Sequence, residues 1–215
     1  MNNNLKYSRT WHLPYSPGTT NDDKKMRNDS HLIGKEVILT LKLDGENTSM
    51  TSDRIWARSL DSTNHPSRNW VKNFWENIRY DIPEGFRICG ENVFAKHSIY
   101  YDSLPSYFVC FNIWIGDECL DWEETKTWCD LIGLELVPVL YRGIYSKEIV
   151  IKEASSSENI FGGEREGIVG RFPQRFKIQD FKDNVFKWVR KGHVQTDDHW
   201  MYQEIIPNKL EIKNV

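Results

Sequence analysis

Alternating apolar and polar residues mark one stretch of the chain, EVILTLKLD at residues 36–44, as a β-strand. Residues two apart lie on the same face of a strand, so the pattern predicts one polar face with Thr40, Lys42 and Asp44. The opposite, apolar face would carry Val37, Leu39, Leu41 and Leu43. The polar face lies either in solvent or in a pocket, and the pattern alone leaves both interpretations open.

Helical spacing of apolar residues predicts three helices, at residues 65–83, 121–134 and 146–156. The second has the signs of a capped helix, with Asp121 and Glu124 at capping-box spacing and Gly133 at its end. Further strands are predicted at residues 54–62, 86–95, 106–118, 135–140, 166–172 and 184–191.

The mixture of hairpin-like strands with three helices favours an α+β fold over a doubly wound α/β fold. Both faces of the strand at residues 106–118 are nearly continuously apolar, which predicts a central strand covered on both sides. The length and the 39% hydrophobic content suggest a single domain over residues 1–215. Residues 1–30 are polar and rich in turn-forming residues, so we expect an arm or loops there, and we expect a tail at residues 194–215.

Composition sets broad limits on the partners of the protein. The net charge of −3 argues weakly against a polyanion, although positive residues outnumber negative ones between residues 160 and 193 and allow a local basic surface. The four cysteines have no metal-binding spacing, which favours a reduced, cytoplasmic setting. No stretch is apolar enough for a membrane span or an export signal, so we expect no membrane partner.

Lys42 is the first candidate for chemistry. A lysine nucleophile must lose its proton, and its ordinary pKa of about 10.4 leaves little free amine at neutral pH unless burial or nearby cations lower it. The end of a buried strand suits this need, with Asp44 placed to orient the amine or a metal and Gly45 open to a phosphate. The simpler interpretation is an exposed lysine before a tight Asp-Gly turn.

Three further charged residues follow in order along the chain: Glu91, Glu166 and Lys187. An enzyme that attacks the α-phosphorus of a nucleotide with an amine needs such groups. Carboxylates hold ribose hydroxyls or a divalent metal, and cations neutralise the phosphates. Taken singly, Glu91 and Glu166 are equally well explained as solvated turn residues, and Lys187 is better explained as a solvated strand residue.

Together with Lys42, this ordered set resembles the covalent nucleotidyltransferases, which include ATP-dependent RNA ligases, DNA ligases and messenger-RNA capping enzymes. The resemblance extends from Lys42 to Lys191 and implies an adenylation fold built on antiparallel sheets with flanking helices. KLDGEN resembles motif I, ICGEN motif III, FVCFNIWI motif IIIa, EGIVGR motif IV and FKWVRK motif V.

The same resemblance implies roles for the matching residues, with ATP and Mg²⁺ or Mn²⁺ as cofactors. Lys42 would form a covalent bond to AMP, Glu91 would contact the ribose and Phe111 would stack on the base. Glu166 would help to bind the metal, and Lys187 would contact the phosphates. The other residues expected to contact the nucleotide are Leu41, Asp44, Gly45, Asn47, Arg58 and Lys191.

Asn47 favours the RNA ligase branch, because DNA ligases and capping enzymes typically have arginine two residues after the motif I glycine. The implied reaction joins 5′-phosphate and 3′-hydroxyl RNA ends through lysyl-AMP and an adenylylated 5′ end. DNA ends, a GTP-using capping-type enzyme and a non-catalytic module that binds nucleotide or RNA ends remain alternatives. Too few residues follow Lys191 for the OB-fold domain of DNA ligases, so a second domain or partner protein in trans is an open expectation.

Two positions depart from the family pattern. Motif V usually has a second lysine two residues after the first, where this chain has Val189. The second cation is therefore expected from Arg190 or Lys191, or it is absent. Motif IIIa usually has an acid after its aromatic residue, where this chain has Asn112.

Overall fold

The computed structural model describes residues 6–60, 64–156, 159–192 and 204–212. The α-helices are α1 (Asn69–Ile78), α2 (Trp122–Ile132), α3 (Lys147–Ser155) and α4 (Phe181–Asn184). The strands are β1 (Trp11–His12), β2 (Glu36–Leu41), β3 (Glu46–Met50), β4 (Ile55–Ala57), β5 (Phe86–Asn92), β6 (Phe108–Ile115), β7 (Glu118–Cys119), β8 (Glu135–Leu136), β9 (Val139–Ile144), β10 (Gly167–Arg171), β11 (Phe176–Lys177) and β12 (Val185–Val189). They form an α+β fold, as predicted.

The first sheet has five strands in the order β1-β12-β10-β2-β9. All neighbours are antiparallel except β1, which runs parallel to β12. β10 lies between β12 and β2, with Ile168 opposite Leu41. This order places the sequences that resemble motifs IV and V on adjacent strands, next to the strand that leads into motif I, although more than a hundred residues separate motif I from motif IV.

The second sheet has the order β11-β7-β6-β5-β3-β4, and β8 pairs with β6 in parallel. β6 therefore lies inside the sheet, as its apolar faces predict. β3 was not predicted from the sequence, because ENTSM is polar and lacks an apolar alternation. β3 is paired on both sides, by β4 and β5, so hydrogen bonds to its neighbours make it a strand although its own sequence shows no strand pattern.

The three predicted helices are present as α1, α2 and α3, with ends a few residues inside the predicted ranges. The capping box of α2 is formed. The Asp121 carboxylate accepts from the Glu124 backbone N–H at 2.8 Å, and the Glu124 carboxylate accepts from the Asp121 N–H at 3.2 Å. Gly133 ends the helix with φ 75°, a left-handed conformation that glycine adopts without steric cost. The short α4 was not predicted, since four residues are too few to show helical periodicity.

The prediction of a single apolar face on β2 is wrong. Val37 and Leu39 pack in one core cluster, whereas Leu41 and Leu43 pack in another, together with Ile38. The pairing with β9 shifts between Leu39 and Thr40, and such a bulge changes which face the following residues occupy. Both faces of β2 are consequently buried along most of its length.

The N-terminal segment, defined here as residues 6–26, packs against the first sheet and adds β1 to it. Most of this segment is loop, but Leu13 is fully buried in the core. The Leu13 backbone N–H donates to the Lys187 carbonyl at 2.8 Å, which fastens the segment to β12. A single buried leucine among polar residues has no periodic signal, so the sequence did not predict its place in the core.

The C-terminal residues 204–212 contact the loop between β5 and β6. Asn208 is buried there, and its side chain donates to the Val93 carbonyl at 2.8 Å and accepts from the Tyr101 backbone N–H at 2.8 Å. The rest of the predicted tail, at 194–203 and 213–215, lies outside the described residues. Among the residues that the structure describes, no helix has the length and apolar character that a membrane crossing requires.

Truncation of Leu39 should destabilise the protein more than truncation of an exposed leucine. Leu39 has 0% exposure in the middle of β2, so Leu39→Ala should lower the free energy of unfolding by about 2–5 kcal/mol through lost burial and a residual cavity. Leu131 on α2 is 69% exposed, and Leu131→Ala should change it by about 0.5 kcal/mol or less. Urea denaturation followed by circular dichroism measures both, and equal losses would contradict this account of the core.

Candidate active site

A cavity of about 350 Å³ is lined by strands of both sheets and by the N-terminal segment. The predicted site residues on its wall are Leu41, Lys42, Asn47, Arg58, Glu91, Phe111 and Lys187. Three others, Asp44, Gly45 and Glu166, are adjacent to Lys42 in sequence or contact its side chain. The fold therefore gathers residues that lie far apart along the chain around one cavity.

Lys42 lies directly after β2, where the strand leaves the sheet. Its backbone N–H donates to the Gly167 carbonyl at 3.1 Å, so Lys42 is still held against the start of β10. The residue before Gly167 is Glu166, and its Oε2 lies 2.7 Å from Lys42 Nζ. The Lys42 side chain is 22% exposed and that of Glu166 is 6% exposed, so the pair is shielded while the amine still reaches the cavity.

The charge of the Lys42 amine is set by competing effects. Burial lowers its pKa, but the carboxylates of Glu166 and Glu91 together raise it more, and the pKa lies above the ordinary value of a lysine. The expectation that the surroundings lower this pKa is therefore wrong for this arrangement. Burial raises the pKa of Glu166, and the neighbouring Lys42 charge opposes that rise. The resting site holds an ammonium paired with a carboxylate.

Asp44 and Gly45 build the turn that carries Lys42. The Asp44 carboxylate accepts from the backbone N–H groups of Ser98 and Ile99 at 2.7 and 2.8 Å, which ties the turn to the loop after β5. A Cβ at Gly45 would lie 2.5 Å from the Asn92 carbonyl oxygen, so only glycine lets the chain pass β5 this closely. Neither residue lies on the cavity wall, so these contacts support Lys42 from behind.

Glu91 lies on β5 and faces Lys42 across the cavity. Burial raises its pKa to about 8, with a further rise from the negative charge of Glu166 and an opposing effect from Lys42. A carboxyl group with this pKa is largely protonated at neutral pH. It can both donate and accept hydrogen bonds, which suits a ligand hydroxyl.

The far wall of the cavity carries Phe111, Asn47 and Arg58. The Phe111 ring meets the edge of Tyr7 with ring centroids 5.4 Å apart, which leaves Phe111 exposed to the cavity. The Arg58 side chain donates to the Tyr7 carbonyl at 3.3 Å, and its backbone N–H donates to the Asn47 carbonyl at 2.9 Å. The side-chain oxygen of Asn47 is buried and accepts no hydrogen bond from the described residues, so it is available to a ligand donor.

On β12 the structure brings Lys187 into the cavity but leaves the other motif V candidates outside it. Burial and the charge of Lys42 lower the pKa of Lys187. Val189 is 1% exposed and belongs to the core. Arg190 contacts the Glu164 carboxylate at 2.5 Å, and Lys191 is exposed and absent from the cavity wall among the described residues. The predicted nucleotide contact of Lys191 is therefore not part of this geometry.

Sequence reasoning missed several residues of the wall, including the cations Arg9 and Lys24 of the N-terminal segment. It also missed Arg171, which is 3% exposed and donates to the Asn112 side-chain oxygen at 2.6 Å. The Asn112 amide in turn donates to the Tyr7 hydroxyl at 2.6 Å. The signal for Arg171 was its place at the end of the apolar strand EGIVGR, where an unneeded charge would be costly.

The carboxylates at Lys42 fit a divalent cation that is held only partly by protein. No group of three or more His, Cys, Asp or Glu side chains in the described part of the chain is arranged to hold a metal alone. Mg²⁺ and similar cations are commonly bound by one or two carboxylates together with phosphate oxygens and water. Glu166, whose carboxylate contacts the Lys42 amine, is the residue that would take this role if a cation binds there.

Comparison with known proteins identifies a family and a related fold. The RNA ligase family model matches residues 35–189. Variants of the Naegleria gruberi RNA ligase share the fold: an apo form has a TM-score of 0.55 and 14% identity over 78% of this chain and 52% of that chain. A form with ATP and Mn has a TM-score of 0.55 and 14% identity over 88% and 62%. A form with AMP and Mn has a TM-score of 0.53 and 16% identity over 78% and 53%.

This chain thus spans between about half and three fifths of the length of those solved structures. At 14–16% identity the likeness establishes the fold. Among proteins of curated function, none matches the sequence.

The raised pKa of Glu91 predicts a pH dependence of stability. The pKa of Glu91 is about 8 in the folded protein and about 4.5 in the unfolded chain, so the folded state binds the proton more tightly. This difference stabilises the fold fully below pH 4.5, and the stabilisation is lost as the pH rises towards about 8. Glu91→Gln mimics the protonated form, so its free energy of unfolding should fall less than that of the unsubstituted protein between pH 5 and about 8.

The exposed Glu84 provides the matched control, since Glu84→Gln makes the same change in a turn outside the cavity. Urea denaturation at several pH values measures the slope for each protein. A Glu91→Gln protein with the same pH slope as the Glu84→Gln protein would contradict a partly buried Glu91 that ionises late.

Proposed function

Since the chain belongs to the RNA ligase family, whose model matches residues 35–189, we propose that it is an ATP-dependent RNA ligase. It would join 5′-phosphate and 3′-hydroxyl RNA ends through a lysyl-AMP intermediate. The observation that carries the proposal is the place of Lys42: a shielded amine 2.7 Å from Glu166, in a cavity that also holds Lys187.

The cavity wall offers a partner for each part of ATP. Phe111 lines the cavity and would stack on the base, and Asn47 on the same wall has a side-chain acceptor without a partner among the described residues. Glu91 suits the ribose hydroxyls, because its raised pKa leaves a group that donates as well as accepts. Lys187 and Arg58 supply positive charge for the phosphates.

In the first step, the Lys42 amine attacks the α-phosphorus of ATP. The new N–P bond forms as the bond to the pyrophosphate oxygen breaks, and pyrophosphate leaves with the bonding electron pair. The ammonium must lose its proton beforehand, and Oε2 of Glu166 is the nearest acceptor. A divalent cation held by Glu166 and the phosphates would supply positive charge that favours the neutral amine and the leaving pyrophosphate.

In the second and third steps, AMP passes from Lys42 to a 5′-phosphate, and a 3′-hydroxyl then displaces AMP to form the phosphodiester. The phosphoramidate keeps the activation of ATP between binding events. Catalysis by this site would rest on positioning and charge neutralisation, because the cavity offers cations and fixed carboxylates around one nucleophile.

Loss of the Lys42 amine should abolish covalent adenylylation. Incubated with α-labelled ATP and a divalent cation, the unsubstituted protein should become labelled, and Lys42→Ala should take up no label. Lys126→Ala removes an exposed lysine from α2 and should label normally. ATP binding by the unsubstituted protein without a covalent adduct would instead identify a non-catalytic binding module.

The same assay separates the remaining alternatives. Labelled GTP in place of ATP tests for a capping-type enzyme, and we expect labelling with ATP only. Adenylylated protein offered nicked RNA, nicked DNA or a hybrid duplex should seal the RNA-containing substrates, since the family and Asn47 favour RNA. Preferential sealing of nicked DNA would overturn the assignment of RNA as substrate.

A further inference from the structure

A carboxylate from the N-terminal segment lies beside the second lysine of the cavity. Asp23 Oδ1 is 3.4 Å from Lys187 Nζ and 3.2 Å from His12 Nε2. The other oxygen, Oδ2, accepts from both the backbone N–H and the hydroxyl of Thr20 at 3.0 Å each. One oxygen is therefore bound by the turn, and the other lies between the Lys187 amine and the His12 imidazole.

The backbone fixes this carboxylate relative to β12. His12 is in register with Lys187 across the parallel β1–β12 pair. The His12 N–H donates to the Lys24 carbonyl at 2.8 Å, and the Met26 N–H donates to the His12 carbonyl at 2.8 Å. The turn that carries Asp23 is thus connected to Lys187 through two successive backbone pairings, which makes the contact a product of the fold.

Two of the lysines on the cavity wall, Lys42 and Lys187, have separate carboxylate partners. Lys42 pairs with Glu166, and Lys187 pairs with Asp23. The separation matters because the two lysines have opposite tasks: Lys42 must become neutral to attack, whereas Lys187 must stay charged to hold phosphate. Burial and Lys42 lower the pKa of Lys187, and Asp23 opposes both effects.

Resting on the function proposed above, we propose that Asp23 is a positioning residue that holds Lys187 against the phosphates of ATP while Lys42 attacks. Asp23 acts through Lys187 and makes no contact with the reacting atoms. The position of Lys187 is especially important in this chain, because the second motif V position is the buried Val189 and β12 supplies only one cation to the cavity wall.

A double-mutant cycle tests this coupling. Asp23→Asn keeps the shape of the side chain and removes its charge, and it should slow lysyl-AMP formation about 10- to 100-fold, the effect expected for a misplaced binding group. Lys187→Gln should slow it at least as much. In the Lys187→Gln background, Asp23→Asn should cause no further loss, because its effect passes through the lysine.

Three further variants sharpen the test. Asp23→Glu keeps the charge and should restore part of the rate, whereas Thr20→Val removes one bond to Oδ2 and should cause a smaller loss in the same direction. Asp130→Asn makes the same charge change on the exposed face of α2 and should label at the normal rate. Thermal denaturation of each protein confirms that it is folded at the assay temperature.

The outcomes separate this inference from the proposed function. Failure of the unsubstituted protein to label would defeat the proposed function. The coupling of Asp23 to Lys187 would then be measured by equilibrium binding of inorganic pyrophosphate to the unsubstituted protein, the two single variants and the double variant. If the unsubstituted protein labels, the inference is overturned by additive losses in the cycle. It is equally overturned by a normal rate in Asp23→Asn, or by faster labelling that would show Asp23 to repel the phosphates.

Discussion

The site depends on the shielded ion pair between Lys42 and Glu166. Antiparallel pairing of β2 with β10 sets it, because the Lys42 backbone bonds to Gly167 and so brings the preceding carboxylate to the amine. Removing one member of a buried pair is costly, about 3–5 kcal/mol, since the remaining charge loses its partner. The lysine is therefore stable as an ammonium at rest, and in the proposed function it becomes a nucleophile only when other positive charge compensates Glu166.

The two sheets divide the work around this pair. In the proposed function, the strands of the first sheet carry or adjoin Lys42, Glu166 and Lys187, which act on the phosphates and the metal. The second sheet supplies Glu91 and Phe111 for the sugar and the base. The bulge between Leu39 and Thr40 contributes to this arrangement. It changes the face that the following residues of β2 occupy, whereas a regular strand would have kept Leu39 and Leu41 on the same face.

The sequence predicted much of the fold, since most strands and three helices carry clear apolar periods. For the site, it singled out the residues whose motifs are contiguous, such as Lys42 and Glu166, and the structure brings them together. It missed β3, whose residues are polar, and it missed the N-terminal wall of the cavity. Asp23 and Arg9 belong to no periodic element, and only the pairing of β1 with β12 brings their segment to the site.

The N-terminal segment covers Val189 and so explains why the second motif V position is apolar in this chain. The Ser16 hydroxyl accepts from the Val189 N–H at 3.0 Å, the Gly18 N–H donates to the Val189 carbonyl at 2.9 Å, and a Cβ at Gly18 would lie 2.2 Å from the Arg190 carbonyl oxygen. This close cover leaves Val189 with 1% exposure. A lysine at that position would place a charge in the core without a partner, which is strongly unfavourable. The N-terminal segment thus leaves no room for a cation at position 189, and it also brings Asp23 to Lys187. The charge at this end of the cavity therefore depends on the N-terminal segment as well as on β12.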